Sequence, residues 1–166
     1  MPGLTIKRTA ESALKIDPKN ARKHGRRNLD AIAGSLKRFG QRAPLVVRPD
    51  GTVIGGNATL QCMRELGMVE VDVVEFDGTD QEAAALALSL NRAAELAAWN
   101  DEQLAETLAG LDRDLALAAG WLEDELRKTI LDFQPATLEQ PRLDKIDGEQ
   151  ETYVKCPECG HEFPRT

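Results

Sequence analysis

The feature that most constrains the fold is residues 44–67, PLVVRPDGTVIGGNATLQCMRELG, where two short apolar runs are followed by two glycines and an amphipathic segment. Residues 45–48 and 52–54 are rich in β-branched side chains, and the Pro-Asp-Gly sequence between them is typical of a tight turn. Residues 58–66 carry apolar side chains at helical spacing, and Gly67 suits the position that follows a helix. The sequence therefore predicts two strands joined by a turn, and then a helix.

Gly55 and Gly56 form the joint between the second predicted strand and this helix. A helix N-terminus presents free N–H groups and the positive end of the helix dipole, so phosphate can bind where the backbone there is bare. Two glycines can equally make a tight turn whose geometry no other residue adopts easily. The residues themselves leave both interpretations open.

The rest of the predicted sheet lies on either side of this segment. A strand is expected at residues 13–16, and another at residues 71–75. Between the first of them and the hairpin, apolar side chains recur at helical spacing over residues 29–39, and Gly40 is placed to end that helix. The predicted fold class is α/β (α+β), a small mixed sheet with packed helices.

A helical subdomain is predicted to follow the sheet. Thr79 and Glu82 form a capping-box pattern before an Ala/Leu-rich stretch at residues 80–98, which predicts a buried scaffold helix. Asn100 and Gln103 form a second capping pattern. The remaining helices are expected at residues 100–109 and 122–131, with the tryptophans Trp99 and Trp121 sealing the subdomain.

Taken in order, these segments resemble the ParB-like N-terminal domain of the ParB/sulfiredoxin fold. Residues 17–22 match the family's Asn-Pro-Arg type box, residues 54–59 its phosphate-contacting glycine box, and Leu90-Asn91-Arg92 its Glu-Asn-like helix motif. Residues 44–47 and 69–74 match its strands. The resemblance extends over residues 14–99 and implies a ParB/sulfiredoxin-like domain at residues 11–99, with a helical extension at residues 100–131.

The resemblance also implies a nucleotide or phosphate site, to be occupied by a nucleotide triphosphate with Mg²⁺. Backbone N–H groups of residues 55–59 and the Thr59 hydroxyl are expected to contact phosphate, with one wall from the Asn-Pro-Arg type box and another from the Glu-Asn-like motif. The full set of candidate binding residues is Asn20, Arg22, Gln41, Gly55, Gly56, Asn57, Thr59, Asn91 and Arg92.

The glycine box departs from the family pattern at two places. Ala58 and Thr59 stand where nucleotide-binding members carry arginines, which make bidentate phosphate contacts that threonine does not replace. Arg22 and Arg92 are the candidates to substitute for them. Asn57 stands where sulfiredoxins carry a cysteine, so sulfur chemistry is not predicted. The variant box is similar to that of stand-alone ParB-like proteins of phages and mobile elements.

Charge is distributed unevenly along the 166 residues, whose net charge is −7. Residues 1–70 carry 13 Lys/Arg against 6 Asp/Glu, whereas residues 71–166 carry 8 against 22. The basic half, which includes the Asn-Pro-Arg type box and the glycine box, either attracts phosphates or forms an ordinary solvated face. The acidic half argues against sequence-independent coating of DNA, and no helix-turn-helix is recognisable. No apolar run has the length of a membrane span, and none resembles a signal peptide. The three cysteines favour a reducing, cytoplasmic setting over a disulfide scaffold.

The C-terminal part combines a predicted acidic linker, residues 132–150, with a half zinc-ribbon tail, residues 151–166. Cys156 and Cys159 form a Cys-Pro-x-Cys-Gly unit, which suits two ligands of a tetrahedral Zn²⁺ ion, and His161 is a candidate third ligand. A fourth would come from Cys62, His24, water or a second chain, the last of which predicts a homodimer. The alternative is a degenerate ribbon without metal.

Three functions remain open from the sequence alone. The first is a ParB-like module that binds nucleotide or phosphate and acts with DNA, or with a DNA-modifying protein, in a phage or mobile element. The second is an enzyme on the same fold, a nucleotide triphosphatase or a nuclease, although no carboxylate cluster for a metal lies near the glycine box. The third is a protein-interaction adaptor whose pocket has decayed. No catalytic residue is assigned.

Overall fold

The computed structural model describes residues 4–133, 153–155 and 162–164, and the chain divides into two compact units after Phe133. The first unit contains a mixed sheet of five strands with helices packed on it, as the predicted α/β class requires. The strands are β1 (Ile6–Ala10), β2 (Lys15–Ile16), β3 (Leu45–Val47), β4 (Thr52–Gly55) and β5 (Glu70–Glu75). Their order in the sheet is β1-β5-β3-β4-β2.

Pairing within the sheet combines both directions. The hairpin of β3 and β4 is antiparallel, β3 is parallel to β5, and β2 is parallel to β4. Gly51 ends the predicted turn with a φ of 83°, and Asp50 accepts hydrogen bonds from the backbone and hydroxyl of Thr52. These two hydrogen bonds lower the pKa of the Asp50 carboxyl group. The hairpin predicted from the sequence is therefore present, with a local reason for each turn residue.

Two strands differ from the prediction. No strand was predicted at residues 6–10, which form β1, an edge strand antiparallel to β5. The strand expected at residues 13–16 begins only at Lys15, since Glu11–Ala13 forms a turn of 3-10 helix. Arg8 lies directly opposite Asp72 and donates a hydrogen bond to its carboxylate. Strand β1 is mostly exposed, so a cross-strand ion pair, and not burial, supports its pairing with β5.

The hydrophobic core lies between this sheet and two helices, α1 (Arg26–Phe39) and α2 (Asn57–Glu65). Its buried members are Leu14, Leu45, Val47, Val53, Leu60, Met63, Val71 and Val73. Cys62 is also fully buried on α2, where its thiol donates to the Leu29 carbonyl at 3.4 Å, and burial raises its pKa. Cys62 is therefore a small core residue and is not placed to ligate a metal.

Four further helices complete the first unit, namely α3 (Asp80–Leu96), α4 (Asp101–Ala109), α5 (Arg113–Ala118) and α6 (Glu123–Phe133). The capping box of Thr79 and Glu82 forms as predicted, and Asn100 caps α4 by accepting from the Gln103 N–H. The short helix α5 was not expected. Among the described residues, no helix is both long and apolar enough to cross a bilayer.

The prediction that residues 80–98 form a buried scaffold helix was wrong about burial. Only Ala83 of α3 is buried, while Leu88 and Leu96 are 61% and 70% exposed. Trp99 does not seal the subdomain either, because it is 72% exposed. The sequence of α3 is apolar nearly all round, so it does not indicate which side of the helix is buried. Composition alone therefore did not predict that α3 contacts the sheet along one side only.

The second unit contributes two described strands, β6 (Tyr153–Lys155) and β7 (Glu162–Pro164), which pair antiparallel. Lys155 and Glu162 are opposite each other in this ladder. The candidate zinc ligands Cys156, Cys159 and His161 lie outside the described residues.

Candidate functional site

The glycine joint at the end of β4 has the predicted position at the start of a helix. Gly56, immediately before α2, has a φ of 93°, which favours glycine over any residue with a side chain. A Cβ atom at position 56 would lie 2.6 Å from Leu45 Cδ2, and one at position 55 would lie 2.7 Å from Leu90 Cδ1. The close approaches that require these two glycines are therefore made by the protein's own core and by α3.

Asn57, the first residue of α2, is buried and has an internal role. Its side-chain oxygen accepts a hydrogen bond of 2.9 Å from the Asp17 N–H, in the loop that follows β2. A buried polar side chain that is bonded in this way fixes the backbone it bonds. Asn57 thus attaches the segment that contains Asn20 and Arg22 to the N-terminus of α2.

A cleft of about 940 Å³ lies beside this joint, between the loop at residues 17–22, the β3–β4 hairpin and helix α3. Four of the predicted site residues line it, namely Asn20, Arg22, Asn91 and Arg92. Its apolar surface includes Ile54 and, from α3, Leu88 and several alanines. The structure therefore brings together the Asn-Pro-Arg type box and the Glu-Asn-like motif, two segments about seventy residues apart in the chain.

The other predicted residues do not line the cleft. Gly55, Gly56, Asn57 and Thr59 lie at the adjoining joint, and the Thr59 side chain is half-buried. Gln41 is engaged elsewhere, because its amide accepts from the Asp72 N–H at 2.8 Å and donates to the Asp72 carbonyl at 2.7 Å. Gln41 thus satisfies the backbone of β5 next to the start of β3, which is a structural role.

Arginine and carboxylate side chains alternate around the cleft. Arg22 and Arg92 both donate to Glu95, and Arg48 donates to Asp80 at 3.0 Å. Asn91 donates to the Ala87 carbonyl one turn earlier in α3. Since arginine offers a planar fork of donors that matches phosphate, the cleft has the groups needed for an anionic ligand with an apolar body.

The charged residues of the cleft that sequence reasoning did not assign to the site include Arg48, Asp80 and Glu95. Arg48 was assigned to a strand and Asp80 to a helix start, and nothing in their local sequence indicates that they meet. Glu95 had a usable signal, because it follows Arg92 by three residues and therefore shares a face of α3 with it. Within residues 4–133, no three His, Cys, Asp or Glu side chains lie close enough together to share a metal ion.

A mixed sheet with a glycine joint before a helix, flanked by an arginine-bearing loop and a second helix, is a ParB-like fold. Similar in structure is the C-terminally truncated chromosome-partitioning protein ParB from Caulobacter crescentus, complexed with CTP-γ-S. The TM-score is 0.67 at 16% identity, over 80% of this chain and 81% of that one. This likeness shows the fold.

Two further ParB structures are similar with lower TM-scores. A Pnob8-like ParB-N domain gives a TM-score of 0.49 at 19% identity, over 79% of this chain and 62% of that one. The Caulobacter crescentus ParB complexed to the centromeric parS site gives 0.46 at 18%, over 81% and 75%. No family model and no curated protein matches the chain.

Proposed function

We propose that the first unit is a nucleotide-binding module in which the cleft holds the phosphates of a nucleotide triphosphate with Mg²⁺. The observation that carries the proposal is the meeting of Arg22 and Arg92 on opposite walls of one cleft, although the glycine box lacks arginines. The ParB structure with the similar fold was solved with CTP-γ-S, a nucleotide triphosphate analogue. By this proposal, these two arginines replace the arginines that Ala58 and Thr59 do not supply.

The remaining cleft residues have separate roles in the proposal. Asn20 and Asn91 orient the ligand through their amides, and the alanine side of α3 packs against its base or sugar. Gly55, Gly56 and Asn57 shape the joint and hold the arginine loop. Thr59 lies at that joint and does not line the cleft, so the phosphates are assigned to the two arginines. Mg²⁺ is held mainly by the phosphates and water, as is common for this ion.

The module is proposed to act in DNA transactions of a phage or mobile element, with DNA or a DNA-modifying protein as its partner. The excess of Lys/Arg in residues 1–70, which contain the arginine loop, supports attraction of phosphates to this side. The proposal is one of binding and includes no hydrolytic step. The second candidate, a protein-interaction adaptor, is favoured by the exposed apolar side chains of Leu88, Leu96 and Trp99.

Nucleotide binding is tested by thermal unfolding of the whole chain with CTP, ATP, GTP and UTP, each with Mg²⁺. A ligand that binds only the folded state stabilises it by about 2.7 kcal/mol at a concentration of 100 Kd. Arg22→Ala is expected to weaken the binding of the stabilising nucleotide by roughly 1.5–3 kcal/mol, which corresponds to a loss of about 10- to 150-fold. Isothermal titration calorimetry measures the change directly.

The matched control is Arg26→Ala, which removes an exposed arginine that pairs with Asp30 on α1 and does not line the cleft. If Arg26→Ala weakens binding as much as Arg22→Ala, the effect comes from general charge and the cleft is not the site. If no nucleotide stabilises the wild-type protein, the adaptor becomes the better-supported function.

The tail is proposed to bind Zn²⁺ through Cys156, Cys159 and His161, completed by the tail of a second chain. The proposal is supported by the Cys-Pro-x-Cys-Gly unit and by the pairing of the two described strands on either side of it in the sequence, β6 and β7. Metal analysis together with native mass is expected to show a zinc-bound dimer that a chelator converts to monomer, because a shared site adds its binding energy to assembly. Cys156→Ser should give zinc-free monomer. Zinc at one per monomer without a mass change would exclude the shared site.

A further inference from the structure

We infer that Glu95 is an internal competitor for the ligand: its carboxylate holds Arg22 and Arg92 until a phosphate group displaces it. The inference rests on the proposed function, because it concerns the same two arginines. It assigns to Glu95 control over which anions the cleft accepts and over the loop that carries Arg22.

The contact geometry is the first support. One carboxylate oxygen of Glu95, Oε1, accepts from Arg22 Nη1, and the other, Oε2, accepts from Arg92 Nη1 at 3.3 Å. A single anionic group thus bridges two arginines from separate segments of the chain. A terminal phosphate, which also presents several oxygens from one centre, would satisfy the same two donors. All three side chains line the cleft and are 45% to 65% exposed, so a ligand reaches them from solvent.

The position of Glu95 explains how its displacement would act on the loop at residues 17–22. The loop has hydrogen bonds of its own, from the Lys19 N–H to Asp17 and from the Arg22 N–H to Asn20, and Asn57 anchors its first residue. The described side-chain hydrogen bond from this loop to α3 is that of Arg22 with Glu95. Release of Glu95 would therefore exchange a loop–helix contact for a loop–ligand contact.

Charge determines the ligand class that wins this competition. A carboxylate carries one negative charge, whereas a terminal phosphate carries close to two and offers three strong acceptor oxygens. A phosphodiester carries only one charge and gains little over Glu95. The cleft should accordingly prefer nucleotides that have a terminal phosphate, triphosphates included, over the backbone of a nucleic acid.

The test compares Glu95→Gln with the wild-type protein in calorimetric titrations with the nucleotide that stabilises it. Glu95→Gln keeps the size of the side chain but removes the charge that competes for the arginines, so affinity is expected to rise roughly three- to tenfold, as loss of two partly exposed ion pairs permits. Asp80→Asn is the matched control, because it removes one negative charge from the same cleft but releases only Arg48. A smaller gain is expected for it.

A second measurement does not need a ligand. The weaker, uncharged link to α3 in Glu95→Gln should speed backbone hydrogen exchange at Asn20 and Arg22, and Asp80→Asn should not. If the wild-type protein binds nucleotide and Glu95→Gln gains no more than Asp80→Asn, the competitor role is wrong while the proposed function stands. If neither protein binds nucleotide, the proposed function fails and the ligand part of this inference fails with it. Unchanged exchange would refute the loop contact on its own.

Discussion

Leu60→Ala is expected to lower the free energy of unfolding by about 2–5 kcal/mol, the range found when a large aliphatic side chain is removed from a core. Leu60 lies on α2 with no exposed surface, and it belongs to the cluster of eight residues between the helices and the sheet. The substitution removes the free energy gained by burying the leucine side chain, and it also leaves a cavity. The β-branched side chains around this cavity are stiff and cannot move in to fill it. Since small domains are stable by only about 5–15 kcal/mol, this is a large fraction of the total.

Denaturation in urea, followed by circular dichroism, measures this change, and Leu88→Ala supplies the control. Leu88→Ala is the same chemical change at an exposed position of α3. Surface substitutions usually alter the free energy of unfolding by less than about 0.5 kcal/mol. Equal losses in the two variants would mean that α3 is buried after all, as its composition suggested. Such a result would contradict the arrangement of α3 on the sheet.

The parts of the fold that were predicted correctly are those with local signals. The hairpin of β3 and β4 was indicated by a Pro-Asp-Gly turn between β-branched runs, and the start of α3 by Thr79 and Glu82. Each of these signals acts within a few residues, so the sequence contains nearly all the information that determines them. Helix α1 was predicted correctly for the same reason, because its apolar side chains recur on one side at helical spacing.

The parts that were missed depend on contacts between distant segments. Strand β1 is exposed on most positions and carries little apolar pattern, so its structure depends on pairing with β5, sixty residues later. The exposure of α3 depends on how much of the helix the sheet covers. In the cleft, Arg22 and Arg92 were identified through the family resemblance, whereas Arg48 and Asp80 required the tertiary structure.

Gly56→Ala is expected to lower the free energy of unfolding by about 2–5 kcal/mol, through two separate costs. The φ of 93° is unfavourable for a residue with a Cβ atom, at about 1–2 kcal/mol, and the added methyl group would overlap Leu45 Cδ2, with overpacking costs of about 1–3 kcal/mol. Leu45 is itself almost fully buried, so it has little space into which to move. Equilibrium denaturation of the variant measures the sum of both costs.

Gly67→Ala separates the two costs, because it shares a positive φ, 70°, but a Cβ atom at that position would have no neighbour within 4 Å. It should lose only the backbone part, about 1–2 kcal/mol, and the difference between the variants gives the cost of the overlap with Leu45. A larger loss of unfolding free energy in Gly56→Ala would mean that a glycine is needed at position 56 because of the packing of the β4–α2 joint. Equal losses of unfolding free energy in the two variants would mean that Leu45 moves aside easily. Packing against Leu45 would then not explain Gly56, and close approach of a phosphate to the N-terminus of α2 would again be the better explanation.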